Sequence, residues 1–393
     1  MSVFDGLVGQ EEAVADLTRA AQAARKIAGA GFESARGSSA MSHAWLITGP
    51  PGSGRSLAAR AFAAALQCTG TRPGCGECSQ CKAVMAGQHP DVSSLSTDLV
   101  TIKAEEVRAY VASSYQAPGS GSWKVFIIED ADRMVERTTN VLLKAIEEPG
   151  PRTVWLLCTA AVADVLPTIR SRCRNVNLVT PSVEEVARLL VEREGVERET
   201  AYVAAQAAQS HIGVAKALAT NPEAAGLRKK TLDALASIHG VGDAAVAAWM
   251  LVDPELMGVS TNRDKAAEER EEADRLAALG LEAGGRVPAA VRSQVRAASV
   301  DSKRRATRTL HDMIDRELTY MISFYRDVVV VQLDAQVALI NADYAEAIQS
   351  VAAKIGPAEA LSRIDTLGEA RERLRSNVAP QLLMEAALSA MRQ

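Results

Sequence analysis

Aromatic side chains make up only 4% of the 393 residues. Strands draw heavily on aromatic and β-branched residues, so this scarcity argues against an all-β sandwich or barrel. No apolar run approaches the roughly 20 residues that a membrane-spanning helix needs. The first residues, Met1-Ser2-Val3-Phe4-Asp5, lack the basic segment and apolar stretch of a secretory signal. A cytoplasmic protein is expected. Neither sign of charge dominates: 44 basic against 48 acidic residues leave a net −4. That excludes a globally basic nucleic-acid binder and leaves room for a local basic face. Cysteine is sparse, with six in the chain; in a reducing compartment these are thiols or metal ligands before they are disulfides.

What is present is an ordinary globular balance, 48% hydrophobic and 23% charged, over a length that suggests two or three domains. Three short apolar runs, His43–Thr48, Val125–Ile128 and Val154–Thr159, alternate with helical stretches. They read as central strands of a parallel sheet, buried on both faces. After Pro181 the pattern becomes helical, beginning with Val183–Glu194 and Glu199–Ser210 and continuing almost to the end. One stretch differs. Residues 262–275 are densely charged, and from Arg286 to Arg308 seven basic residues stand against Asp301 alone. Its plain reading is a solvated surface; its sharper one is a contact with nucleic acid or a partner.

Gly49-Pro50-Pro51-Gly52-Ser53-Gly54-Arg55-Ser56 follows an apolar run and opens a helix expected over 57–66. It matches the phosphate-loop pattern G-x-x-x-x-G-K-[ST] except at Arg55. Glycines let backbone N–H groups turn toward phosphates at a helix N-terminus, and Ser56 would place its hydroxyl on Mg²⁺. A planar arginine does not replace the compact lysine charge at such a site. Glu129-Asp130, at the end of the second apolar run, stands where such proteins carry an acidic pair that holds Mg²⁺ and polarises water. Its order is inverted from Asp-Glu, which displaces each carboxylate by about one bond, and errors of about 1 Å can cost roughly 100-fold in rate. Binding of ATP or ADP with Mg²⁺ is compatible with these residues; efficient hydrolysis is not expected.

Cys68, Cys75, Cys78 and Cys81 follow C-x6-C-x2-C-x2-C, with Gly74 and Gly76 between them. Four thiolates close a tetrahedral zinc shell, a structural rather than catalytic arrangement. An iron–sulfur cluster or a redox thiol set is the alternative. Cys158 lies within an apolar run and reads as core.

Together these residues resemble the bacterial clamp-loader subunits of the AAA+ ATPase class, the gamma/tau/delta-prime family. The resemblance runs through Phe4–Gln10, the phosphate loop, the four cysteines, His89-Pro90-Asp91, Asn140–Pro149, Ser171-Arg172-Cys173 and Asn377–Glu385. It is dense over 1–220, sparse from 220 to 370, and finds no counterpart around 255–308. It implies an α/β AAA+ P-loop domain over 1–180 with a zinc module at 68–81. A small helical lid over 181–222 would follow, then an all-α collar over 223–393 with a charged insertion near 255–308.

Motor members of the family keep the lysine and the Asp-Glu pair; the stator departs at both and keeps Ser-Arg-Cys. The resemblance is therefore to the stator. It implies that Arg172 is an arginine finger acting in trans, surface-exposed and unpaired within its own chain. By the same resemblance Val8, Gly9, Thr159 (first sensor) and Lys216 (second sensor) join the loop residues around a nucleotide. The implied partners are gamma/tau and delta subunits in a heteropentamer at the replisome, the sliding clamp and primer–template DNA. A gamma/tau-type ATPase motor is the competing reading. A zinc-stabilised nucleotide sensor outside replication is a third.

Overall fold

The computed structural model describes residues 2–30, 40–97, 101–253, 289–374 and 378–392, with the backbone alone over 289–309. The chain divides into two compact units, 1–220 and 221–393. The charged stretch at 262–308, apart from the helical backbone from 289, lies outside the described residues, as does Pro254.

The first unit is built on a five-stranded sheet in the order β2-β3-β4-β1-β5, parallel throughout. β1 (Ala44–Thr48), β3 (Lys124–Ile128) and β4 (Thr153–Thr159) are the three inner strands. They coincide with the three apolar runs, because only an inner strand of a parallel sheet is covered on both faces. β2 (Val92–Leu95) and β5 (Arg174–Asn177) form the edges. Their polar residues, Ser93 and Ser94 in one and Arg174, Asn175 and Asn177 in the other, break the apolar signal.

Alternate side chains of the inner strands feed two cores. On one face Trp45, Ile47, Val125, Ile127, Val154 and Leu156 pack with α1 (Glu11–Ala30) and α2 (Arg55–Gln67). On the other, Leu46, Phe126, Ile128, Trp155 and Leu157 pack with α4 (Ala104–Ser114) and α5 (Glu136–Glu147); the short α3 (Ser79–Met85) belongs to the cysteine segment. The few aromatics are concentrated here. Trp45 meets Phe62 edge-on at 5.0 Å, and Phe126 stacks on Trp155 at 4.6 Å. α2 buries Ala58, Ala59, Ala61, Ala63, Ala64 and Ala65, and so many small side chains allow a helix to lie close against the sheet.

Beyond the short α6 (Pro167–Arg170), three helices close the unit: α7 (Val183–Glu194), α8 (Arg198–Ala207) and α9 (Ile212–Thr220). They share a core of Val186, Leu190, Ala201, Ala205 and Ala215. The start of α7 is set by a capping box. Glu185 N–H donates to Ser182 Oγ at 3.2 Å, and Ser182 N–H donates to Glu185 Oε2 at 2.7 Å.

The described part of the second unit is helical: α10 (Pro222–Ala236), α11 (Val241–Val252), α12 (Ala289–Gln332), α13 (Ala345–Lys354), α14 (Pro357–Leu374) and α15 (Pro380–Ser389). Its core includes Leu232, Leu251, Leu318, Met321, Phe324, Val328, Leu367 and Met384. Buried charges here have partners. Arg228 donates to both Asp343 oxygens, at 2.6 and 2.9 Å, and to Asn341 Oδ1 at 2.9 Å. Asp327 accepts from the backbone of Ile340 and Asn341.

Glu317 breaks this pattern. It is fully buried and neither carboxylate oxygen has a hydrogen bond. Burial drives its pKa well above the ordinary value. A group whose folded pKa is raised favours the fold below its unfolded pKa, about 4.3. That advantage is lost as pH rises through the folded value. Glu317→Leu is expected to stabilise the chain near pH 8 by about 1–3 kcal/mol, the cost of a buried unsatisfied polar group. Urea unfolding at pH 5 and pH 8 checks this, with the gain expected to shrink at the lower pH.

Candidate functional site

The inner strands end side by side, and the residues expected to meet a nucleotide emerge from their carboxyl ends, where ligands of open α/β sheets bind. The loop after β1 runs into α2 through Gly52 and Gly54, both left-handed with φ of 85° and 93°, conformations that glycine adopts without strain. Ser56, at the start of α2, donates through Oγ to Glu129 Oε2 at 3.0 Å. Arg60 Nη2 lies 3.7 Å from the other oxygen of Glu129. The loop serine and the first acid are thus joined, 73 residues apart in sequence. Thr159, at the end of β4 between them, is fully buried and donates to Asp132 Oδ1 at 3.2 Å.

Other expected site residues are engaged within the chain. Arg55 Nη1 donates to the carbonyl of Gly49 at 3.0 Å, folding back on its own loop. Asp130 is left-handed with φ 51° and pairs with Arg133 at 3.4 Å. Lys216 Nζ is 2.7 Å from Glu194 Oε1. Gly9 (φ 69°) leaves so little room that a Cβ there would lie 2.9 Å from Glu185 Oε2. Val8 beside it is half-buried, and Gln10 ties this segment to Val179 by 3.0 and 2.7 Å hydrogen bonds.

A residue that sequence reasoning missed also reaches the loop. His211, just before α9, packs so closely on Gly52 that a Cβ on the glycine would lie 2.7 Å from the His211 Cα. A single histidine near a helix start carries no sequence signal that separates this contact from an ordinary cap. The backbone of the loop therefore has a phosphate-cradling shape. Of its side chains, Arg55 is bonded to the Gly49 carbonyl and Ser56 to Glu129.

The four cysteines converge. The Sγ atoms of Cys68, Cys75, Cys78 and Cys81 all lie within 4.8 Å of one another, and those of Cys68 and Cys78 are 4.0 Å apart. A tetrahedral zinc with bonds of about 2.3 Å would set its sulfurs about 3.8 Å apart, so this set fits a metal ion. Gly74 and Gly76, both with φ 74°, make the turns. Backbone N–H groups of Cys78 and Cys81 donate to Cys75 Sγ and Cys78 Sγ at 3.4 Å. Burial opposes ionisation of Cys78, but N–H donors from Cys81 and Thr69 outweigh it and hold its pKa near about 5. Burial pushes Cys81 up and takes Cys158 and Cys173, outside the cluster, to about 12.

His89-Pro90-Asp91 has a scaffolding role. Asp91 accepts backbone N–H bonds from Gly119, Ser120 and Gly121 at 2.8, 2.7 and 2.7 Å. Its own N–H donates to His89 Nδ1 at 3.1 Å, and His89 Nε2 meets Gln80 Oε1 at 2.6 Å. With one ring nitrogen accepting and the other donating, His89 is neutral, and burial lowers its pKa accordingly. The motif links the cysteine segment to the loop that enters β3.

Ser171-Arg172-Cys173 follows α6, anchored by the fully buried Ile169. Arg172 is exposed but not unpaired, which corrects the expectation from sequence. Its Nη2 lies 2.6 Å from Glu147 Oε1, the last residue of α5. Its Nη1 donates to the Thr168 carbonyl at 2.8 Å and lies 3.3 Å from Ser171 Oγ. A carboxylate two elements away in the chain gave no sequence cue to this pairing.

Comparison with known proteins matches two segments of the chain. The family described as DNA polymerase III, delta subunit matches residues 26–182. The family described as DNA polymerase III, delta subunit, C terminal matches residues 306–393. The two together cover more than half of the chain. A DNA polymerase III subunit delta' from Bacillus subtilis is 26% identical over 88% of this chain and 89% of its own length. The chain belongs to the DNA polymerase III delta-prime family.

A delta-prime from Pseudomonas aeruginosa is 39% identical over 33% of this chain, a match spanning 41% of that protein's length. A subunit tau/gamma from Haemophilus influenzae is 31% identical over 51% of this chain and 30% of its own length. The first matched segment, 26–182, contains the loop, the cysteines and Arg172.

The Asp91 network supplies a direct check on this scaffold. Burial works against the Asp91 carboxylate, yet the three backbone donors hold its pKa below the ordinary range. Such a group stabilises the fold above its unfolded pKa, about 3.9, and loses that contribution as pH falls through the folded value. Asp91→Asn is expected to cost about 1.5–3 kcal/mol at pH 7, the scale of hydrogen bonds to a charged group. The difference from wild type should shrink in chemical unfolding as pH falls below that unfolded value.

Proposed function

We propose that this chain is the stator, a non-motor subunit of the replicative clamp loader. It would assemble with gamma/tau and delta subunits in a heteropentamer, help place the sliding clamp on primer–template DNA, and present Arg172 to the ATP site of a neighbouring motor subunit. One observation carries the reading. Arg55 folds back on the Gly49 carbonyl of its own loop, whereas Arg172, in a solvent-exposed pair with Glu147, stands on a loop anchored by Ile169. A guanidinium delivered in trans stabilises charge on the transferring phosphoryl group and is worth about 10³–10⁵ in rate at the site it completes. DNA contact by the complex would go through phosphates, without base recognition. The division of labour would follow three parts: a P-loop domain over 1–180, a lid over 181–222 and a collar over 223–393.

The gamma/tau motor reading is the weaker one, since Arg55 and Glu129-Asp130 depart from a motor's residues and the tau/gamma relative matches 51% of this chain where the Bacillus subtilis delta' matches 88%. For a stator, nucleotide would be only a ligand of the loop backbone, and no hydrolytic step is assigned to this chain. For the cysteines we propose structural zinc held by Cys68, Cys75, Cys78 and Cys81, with no open coordination position. The ion would supply folding free energy by fastening the end of α2 to α3.

Two outcomes are expected. The purified chain should carry one equivalent of zinc by metal analysis, and Cys78→Ser should lose both the metal and thermal stability; a metal-free wild type of full stability would overturn the assignment. In the reconstituted complex, Arg172→Ala should remove the ATP turnover contributed by one motor site, with a smaller effect from Arg170→Ala. The isolated Arg172→Ala chain should stay within about 0.5–1 kcal/mol of wild type, because its ion pair is solvent-exposed. Turnover near 1 s⁻¹ by the isolated wild-type chain, a rate typical of working enzymes, would point instead to the motor reading.

A further inference from the structure

We infer that Glu147 is a holding residue for Arg172: a carboxylate of this chain that competes with a partner's phosphate for the guanidinium. The inference rests on the reading of Arg172 as a finger acting in trans, and it concerns what the finger must leave before it can act.

The geometry of the guanidinium comes first. Nη2 is 2.6 Å from Glu147 Oε1. Nη1 is shared between the Thr168 carbonyl at 2.8 Å and Ser171 Oγ at 3.3 Å. The Nη1 edge is therefore held by neutral oxygens of its own loop, and the Nη2 edge by the only anion in this set. A phosphate oxygen approaching from outside would replace Glu147, anion for anion, and could leave the Nη1 contacts in place.

The position of Glu147 supports this. It is the last residue of α5, followed by a cap at Glu148 that is also exposed. Carboxylates at a helix C-terminus oppose the helix dipole, so neither serves the helix that carries it. The pair is also open to water, with the Arg172 side chain 40% and the Glu147 side chain 47% exposed. An ion pair so exposed is weak and exchangeable; in the Arg228–Asp343 pair of the second unit the aspartate is 38% exposed, but the arginine is only 9% exposed and bonds Asn341 as well. A fold that needed Arg172 fixed would bury its partner. Here a fixed loop carries a side chain held only loosely.

The test uses the reconstituted clamp loader with ATP, clamp and primed DNA, comparing wild type, Glu147→Gln, Arg172→Ala and the double variant. Glu147→Gln keeps the shape and removes the charge. It should raise complex ATP turnover at subsaturating ATP by about two- to five-fold at the completed site, the factor an exposed pair represents. Saturating ATP should narrow the difference. Glu147→Asp should remain close to wild type, and melting of the isolated chain should not change. Combined with Arg172→Ala, the Glu147→Gln gain should disappear.

If Arg172→Ala lowers turnover and Glu147→Gln leaves it unchanged or lowers it, the holding role is wrong while the finger stands. A gain that persists without Arg172 also overturns it, because Glu147 would then act elsewhere. If Arg172→Ala has no effect on turnover, the finger reading itself fails.

Discussion

A parallel strand covered on both faces has no place for a polar side chain along its length, and its first opportunity comes at the carboxyl end. β1, β3 and β4 are such strands, with every residue of β1 and β4 buried. The register that pairs Thr48 with Thr159, and Ile128 with Leu157 in the next strand over, brings their ends onto one rim. The phosphate loop, Glu129 and Thr159 are therefore neighbours because the sheet is dry, not because of any attraction among them. The hydrogen bond between Ser56 and Glu129 is a consequence of that arrangement. Even where side chains depart from those of a hydrolase, the strands keep the rim in place, since apolar burial of the sheet does not depend on what stands at its edge.

This explains what could be read from sequence. The inner strands were legible as continuous apolar runs, and the loop as glycines at fixed spacing after one of them. The edge strands were not, because Ser93, Ser94, Asn175 and Asn177 face partial solvent and erase the pattern. The cysteine cluster was legible because its ligands lie within fourteen positions, Cys68 to Cys81, and local turns decide their geometry. Asp91 was visible only as part of a familiar tripeptide; its three backbone donors come from a loop 28 to 30 residues away. Contacts such as His211 with Gly52, or Glu147 with Arg172, depend on tertiary placement. No periodicity or motif encodes them.

The same distinction separates the two kinds of charged contact in the molecule. In the second unit Arg228 and Asp327 are buried and each bonds several partners at once, so losing one partner would strand a charge in the core. Around the rim of the first unit the ion pairs are open: Lys216 with Glu194, Asp130 with Arg133, Arg172 with Glu147. Each involves side chains that retain water and can exchange partners at little cost. Among these contacts the buried charges serve the fold, and the open pairs lie at the carboxyl rim and beside it.

On the proposed reading, that placement bears on how this chain would govern hydrolysis at a neighbouring subunit's site. A side chain supplied to another molecule must meet two demands that conflict within one chain. Its backbone has to be rigid, since an error of about 1 Å is costly at a reacting phosphate. Its charged end has to be free to change partners. Burying Ile169 satisfies the first, because the loop that follows cannot shift without opening the core beneath β3 and β4. An exposed partner satisfies the second. A buried carboxylate in place of Glu147 would have locked Arg172 too firmly to be given up. Leaving the guanidinium with no partner would have let a long side chain sample many rotamers, whose entropy, up to about 2 kcal/mol, would be lost on engagement. A weak anion within the same chain lies between these limits: on the proposed reading it would keep the arginine near one geometry and yield it to a stronger anion from outside.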